Sequence, residues 1–173
     1  MSGVNRWRYA WQMRGLEELV EALTLVRYLS AQTLLTPEEA NAALPEGLTL
    51  TPHDYLNGVM DLFGEMMRFA TVLATRDGEL VGGSGRKHGQ DEEESVQGSR
   101  AEDRKRTILH DMHVLSSSVE MLPYISSSSW DSKVSAMRVS VAKVEKLGYG
   151  IAIRGGERPN GWTPEEEDNP QHN

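Results

Sequence analysis

Apolar residues recur at steps of three and four positions in four separate stretches of this 173-residue chain. This spacing places them along one face of an α-helix, whereas a half-buried strand requires strict alternation of apolar and polar residues. The pattern predicts helices over about 13–34, 51–73, 108–122 and 129–155, and only residues 149–153 are also compatible with a strand. We therefore expect an all-α fold.

Two Thr-Pro pairs mark predicted helix starts, at Thr36-Pro37 and at Thr51-Pro52. A threonine just before a helix accepts a hydrogen bond from the first turn, and proline suits the first helical position. Acidic residues follow in both segments, where the helix dipole favours negative charge. The first pair therefore predicts a short helix that ends before Pro45, and the second begins the long helix of residues 51–73.

That long helix contains two interior glycines, Gly58 and Gly64. An interior glycine costs a helix roughly 1 kcal/mol relative to alanine. We expect both glycines to mark a close approach to a neighbouring helix rather than a flexible point.

The helical pattern is interrupted over residues 76–106. This stretch holds six glycines, eight acids and seven bases, but only four apolar residues. Such a composition buries too little apolar surface to offset the entropy lost on ordering. We predict a helical domain at 13–156 with a mostly disordered insertion at 76–106, an N-terminal tail at 1–12 and an acidic disordered tail at 157–173.

Composition excludes several classes of protein. The chain has no cysteine, which rules out disulfides, thiolate metal sites and cysteine nucleophiles. It has no apolar run long enough to span a bilayer and no apolar signal segment, so we expect a soluble protein inside the cell. The net charge is −8, and between residues 12 and 73 three bases face nine acids. Nucleic-acid binding by this part would need a divalent cation or a basic partner.

Two carboxylate pairs are the main candidate site. Glu18 and Glu21 are three positions apart, and Asp61 and Glu65 are four apart, so each pair shares one helix face. Both faces become apolar further along the helix, which is unusual for a plain solvated surface. Two such pairs facing each other would need a cation, and Mg²⁺ or Mn²⁺ prefers carboxylate oxygens.

Other interpretations of these acids stay open. Asp61 or Glu65 could simply pair with Arg68 on an ordinary helix surface. A di-iron bundle fits less well, because it normally needs a Glu-x-x-His motif on two helices. His110 and His113 share a helix face and form a weaker candidate metal pair, since no acid clearly completes their set.

Three segments resemble a known family when they are taken together. RGLEELVEAL (14–23), LTPHDYLNGVMDLFGEMMR (50–68) and VAKVEKLGYGIAIRG (141–155) are similar, in order and roughly in spacing, to the C-terminal half of TRAX, the translin-associated factor X of the translin family. The resemblance covers about two thirds of the chain. Translin itself shares fewer of these features and lacks the full acid set.

The resemblance implies an all-α antiparallel helical bundle that assembles with translin into a hollow hetero-octamer in the cytoplasm and nucleus. It implies a Mg²⁺-dependent endoribonuclease that cleaves single-stranded RNA, including passenger-strand fragments of RNA silencing and tRNA fragments, and that also binds single-stranded DNA. Glu18, Glu21 and Asp61 match the family's catalytic acids, with Glu65 as a further metal ligand. The competing interpretation is a non-catalytic helical subunit that stabilises translin and binds nucleic acid only in the complex.

The chain also departs from the family pattern. The family fold has further helices before the segment that matches residues 14–23, so we expect that the chain is either truncated or without these helices. A chain missing them should be poorly stable as an isolated monomer. The insertion at 76–106 has no counterpart in the family pattern.

Overall fold

The computed structural model describes residues 14–80, 82, 106–123, 125 and 127–157. They form five helices: α1 (Arg14–Ala31), α2 (Pro37–Ala42), α3 (Pro52–Arg76), α4 (Ile108–Glu120) and α5 (Ser128–Glu157). Within these ranges there is no strand, and residues 149–153 lie in α5, so the predicted all-α class is confirmed. No helix in the described part of the chain is both long and apolar enough to cross a membrane.

The two predicted helix starts are confirmed at atomic detail. The side chain of Thr36 accepts a hydrogen bond from the backbone N–H of Glu39, whose carboxylate accepts one from the N–H of Thr36 in return. Thr51 and Asp54 form the same reciprocal pair at the start of α3. These bonds satisfy N–H groups that have no partner within the helix, which explains why α2 and α3 begin where they do.

Helix α3 is the centre of the bundle and packs mainly against α1 and α5. Its inward side chains, among them Phe63 and Met66, are almost completely buried. Glu17, near the start of α1, contacts Asn57, near the start of α3. Further along both helices, Tyr28 of α1 lines one pocket together with Leu62 and Met66 of α3. The two helices therefore run in the same direction.

Helix α5 runs parallel to α3, because Lys133 contacts Asp61 and Gly148 lies beside Leu80. Helix α4 runs antiparallel to α5, so the antiparallel packing that the resemblance implies is found between these two helices, whereas α1, α3 and α5 run in parallel.

A buried carboxylate links α1 to α4. Asp111 accepts hydrogen bonds from Tyr28 Oη at 2.9 Å, from Gln32 Nε2 at 2.7 Å and from Arg106 Nε at 2.6 Å. Burial and this carboxylate raise the pKa of Tyr28, so its phenol stays protonated and donates. Gln32 has a φ of +53°, a left-handed conformation that ends α1 at Ala31, slightly before the predicted end near residue 34.

The two interior glycines of α3 have different surroundings. A Cβ added to Gly58 would lie 2.6 Å from Val20 Cβ and 2.7 Å from the carbonyl oxygen of Glu17, so α1 approaches α3 closely at this point. A Cβ on Gly64 would meet nothing within 4 Å. The predicted close approach is therefore confirmed at Gly58 and wrong at Gly64.

The described ends of the predicted insertion are held together. Ile108 N donates to Leu80 O, and Gly82 N donates to Arg106 O, each at 3.2 Å. Arg76 belongs to α3, and α5 reaches Glu157. Residue 81 and residues 83–105 of the predicted insertion, and almost all of both predicted tails, lie outside the described residues.

Substituting Gly58 with alanine should lower the free energy of unfolding by about 1–3 kcal/mol, because the new methyl group overpacks the α1–α3 contact. Substituting Gly64 with alanine should leave stability unchanged or raise it by up to about 1 kcal/mol, because alanine is the better helix former. Urea denaturation of the two variants against the natural chain measures both effects. Equal losses in the two variants would contradict this account of the helix approach.

Candidate acidic site

A pocket of about 280 Å³ lies where α1, α3 and α5 meet. Three of the four predicted acids line it, namely Glu21 from α1 and Asp61 and Glu65 from α3. Asp61 and Glu65 are one helical turn apart, and the parallel packing of α1 beside α3 brings Glu21 level with both. The fold therefore gathers acids from two separate predicted pairs into one concave surface.

Glu18 occupies a different position. It is exposed on α1, one turn before Glu21, and it is not among the side chains that line the pocket. The weaker histidine candidate also lies elsewhere, since His113 Nε2 is 2.8 Å from Glu145 Oε1 across α4 and α5. The assignment of Glu18 to the site remains a prediction.

Glu21 has the electrostatic environment of a crowded acidic site. Its partial burial, and then the carboxylates of Asp61 and Glu65, raise the pKa of Glu21 above the usual 4.5. The cationic groups of Arg68 and Lys133 act in the opposite direction but do not cancel this effect. The ionised form of Glu21 is therefore disfavoured in the folded chain.

Two basic side chains partly neutralise the pocket. Lys133 Nζ lies 2.5 Å from Asp61 Oδ2 and 3.5 Å from Glu17 Oε2, and it donates to the carbonyl oxygen of Asn57 at 3.3 Å. Arg68 pairs with Glu65 one turn away on α3. The simple pairing with Arg68 is thus correct for Glu65, whereas Asp61 pairs with Lys133 instead.

Sequence reasoning missed Lys133. This residue lies in α5, 72 positions after Asp61, so no local spacing connects the two. Only the packing of α5 against α3 brings its ammonium group to the acids.

A second group of metal-binding side chains lies near the start of α1 and α3. Ligand atoms of Glu17, His53 and Asp54 are within 4.8 Å of one another, which makes them a possible metal-binding group. Part of the group already has partners, since Asn57 donates to Glu17 at 3.0 Å and Asp54 caps α3. The sequence offers no spacing signal for this group, because Glu17 and His53 come from different helices.

Among the described residues, no three acids of the pocket have ligand atoms that all lie within 4.8 Å of one another. The donor set still fits Mg²⁺ or Mn²⁺, because these hard cations take carboxylate oxygens and keep several of their own waters. Waters can span the remaining distance between an ion and a carboxylate that does not touch it directly. Glu21, Asp61 and Glu65 are the side chains that would hold such an ion.

Comparison with known proteins places the chain in a family. Residues 1–155 match the family model described as Translin family. The chain belongs to the translin family. It is 28% identical over 155 residues to the translin-associated protein X homolog of Schizosaccharomyces pombe. That alignment covers 89% of this chain and 57% of the relative, so the chain spans a little over half of the relative's length.

The predicted resemblance is confirmed at the level of the family and of a TRAX-like relative. In this translin-family chain, the matching segment 14–23 carries Glu21, and segment 50–68 carries Asp61, Glu65 and Arg68. Lys133 lies outside the three segments that carried the resemblance. The pocket therefore combines acids from two of these segments with a basic group that lies outside all three.

Substituting Glu21 with glutamine should raise the melting temperature at neutral pH. Since the pKa of Glu21 is higher in the folded chain than in the unfolded chain, ionisation destabilises the fold once the pH exceeds 4.5. At a pH above the pKa of Glu21 in the folded chain, the natural chain loses the full amount of stability. Below pH 4.5 Glu21 is protonated in both states and no stability is lost. The gain in the variant should therefore shrink as the pH falls from 7 towards 4.

Melting temperatures across this pH range test the prediction. The matched control is Glu46→Gln, which changes an exposed glutamate outside the pocket. A gain that does not depend on pH, or that the control shares, would contradict the raised pKa of Glu21 in the folded chain.

Proposed function

We propose that this chain is the catalytic subunit of a complex with translin and cleaves single-stranded RNA with the aid of Mg²⁺ or Mn²⁺. The observation that carries the proposal is the convergence of Glu21, Asp61 and Glu65 from two helices on one pocket, where burial and then the two neighbouring carboxylates raise the pKa of Glu21. Carboxylates this close together repel each other, and a bound cation or a positively charged partner in the transition state would relieve that repulsion.

Each residue has a role in this proposal. Glu21 and Asp61 hold the divalent ion together with Glu65, and Glu18 approaches from the preceding turn of α1, as the resemblance implies. When bound, the ion supplies a more acidic water and neutralises charge on the phosphate. Arg68, whose side chain is largely exposed beside the pocket, is in position to contact a phosphate oxygen of the RNA.

The partner follows from charge and from the relative. A chain with a net charge of −8 has little basic surface for RNA, so the partner has to supply most of the phosphate contacts. The name of the S. pombe relative, translin-associated protein X homolog, supports translin as that partner. The proposal includes a hetero-octameric assembly in the cytoplasm and nucleus that acts on passenger-strand and tRNA fragments and also binds single-stranded DNA.

A specific observation favours a second function, that of a non-catalytic subunit that stabilises translin. Lys133 and Arg68 already pair with Asp61 and Glu65, so the pocket is tolerable without a metal ion. Large apolar side chains are also exposed on the surface, as an interaction subunit requires: Val26, Val72, Met121, Val139 and Tyr149.

Cleavage of a single-stranded RNA by the purified complex with translin separates the two functions. With Mg²⁺ the complex should cut the RNA, and a chelator should stop it. Glu21→Gln should reduce the rate by about a hundredfold or more, because it removes one ligand of the ion and one negative charge. Asp61→Asn should act similarly, since its carboxylate lines the same pocket.

Glu46→Gln serves as the control and should retain full activity, while size-exclusion chromatography should show that every variant still assembles. Full activity in Glu21→Gln, or cutting that persists with a chelator, would favour the non-catalytic subunit and end the catalytic assignment.

A further inference from the structure

Lys133 is the basic group most closely integrated into the acidic site. Its side chain is only 16% exposed, although a lysine on a helix surface normally extends into water. Oxygens from both α1 and α3 surround its ammonium group: Asp61 Oδ2 at 2.5 Å, Asn57 O at 3.3 Å and Glu17 Oε2 at 3.5 Å. A compact ammonium with three oxygen neighbours from two helices occupies the kind of position that a bound cation takes.

The charges that line the pocket show what this ammonium changes. Glu21, Asp61 and Glu65 contribute three negative charges, and Arg68 and Lys133 contribute two positive charges. Arg68 is mostly exposed, so water screens it, whereas Lys133 is largely enclosed and is screened less. Removal of Lys133 would double the net negative charge of the pocket.

Lys133 and a divalent ion would compete for the carboxylate of Asp61. The ammonium uses Oδ2 of Asp61, so an ion that bound both oxygens of this carboxylate would have to displace it. Even an ion that used only Oδ1 would lie within a few Å of a fixed positive charge.

We propose that Lys133 is a built-in counter-cation that lowers the affinity of the pocket for divalent ions and thereby sets the ion concentration at which the site fills. The inference rests on the proposed function for the pocket as a metal site, and it assigns Lys133 as a positioning residue. Lys133 holds Asp61 in place while the pocket contains no metal ion, and it opposes the entry of one.

The test measures Mn²⁺ binding by the full chain through the electron paramagnetic resonance signal of the ion that stays free. All variants carry His53→Ala, which removes a ligand from the separate group of Glu17, His53 and Asp54 and thereby excludes Mn²⁺ binding there; His53 is exposed, so the change is tolerable. Binding in the pocket is defined as the loss of free-ion signal that Glu21→Gln abolishes. Lys133→Met removes the charge but keeps most of the stem, and Lys133→Gln does so while retaining a hydrogen-bond donor for Asp61.

Both substitutions should tighten Mn²⁺ binding by on the order of tenfold, since a unit charge about 4–5 Å from a divalent ion repels it appreciably even in water. Lys133→Arg, which retains the charge, should bind Mn²⁺ as the natural residue does. Lys146→Met is the matched control, because it removes one positive charge from an exposed position of α5, about 20 Å along the helix from Lys133. It should leave the affinity unchanged.

Unchanged or weaker binding in both Lys133→Gln and Lys133→Met would overturn the inference, as would an equal gain in the Lys146→Met control. The RNA-cleavage experiment decides the proposed function separately. Tighter Mn²⁺ binding without cleavage by the natural complex would remove the nuclease and keep the role of Lys133. Metal-dependent cleavage by the natural complex, together with unchanged Mn²⁺ affinity in the Lys133 variants, would keep the nuclease and remove the role of Lys133.

Discussion

The close approach of α1 to α3 at Gly58 is the contact on which the acidic site depends. Gly58 has no side chain, so the carbonyl oxygen of Glu17 and the side chain of Val20 lie where a Cβ would otherwise be. Glu21 follows one turn later on α1, and Asp61 follows at the corresponding distance on α3. A larger residue at position 58 would separate the helices just before the level of Glu21 and Asp61.

This contact has an electrostatic consequence that the rest of the fold has to offset. Close packing brings together carboxylates that repel each other, and the buried core around Phe63 and Met66 holds their helices in place despite that repulsion. Lys133 reduces the repulsion from the α5 side. Such opposition between packing and charge is typical of sites that bind ions or substrates, because natural proteins tolerate local destabilisation where function requires it.

Local patterns predicted most of the helices, but only part of the site. Apolar periodicity and the Thr-Pro pairs depend on residues within one or two turns, so α2, α3 and both caps could be predicted from the sequence. Gly58 and Gly64 could not be told apart by that reasoning, although six positions at about 100° each place them on different sides of α3, and only one side can face α1. Lys133 was missed because its contact with Asp61 depends on packing between distant segments.

The same ammonium also connects the two groups of acids. Lys133 lies 2.5 Å from Asp61 in the pocket and 3.5 Å from Glu17, which belongs to the group with His53 and Asp54. A cation bound in either group would therefore be repelled by the same fixed charge. Neither carboxylate pair, considered on its own helix, contains that information, because the shared ammonium reaches both groups only where three helices meet.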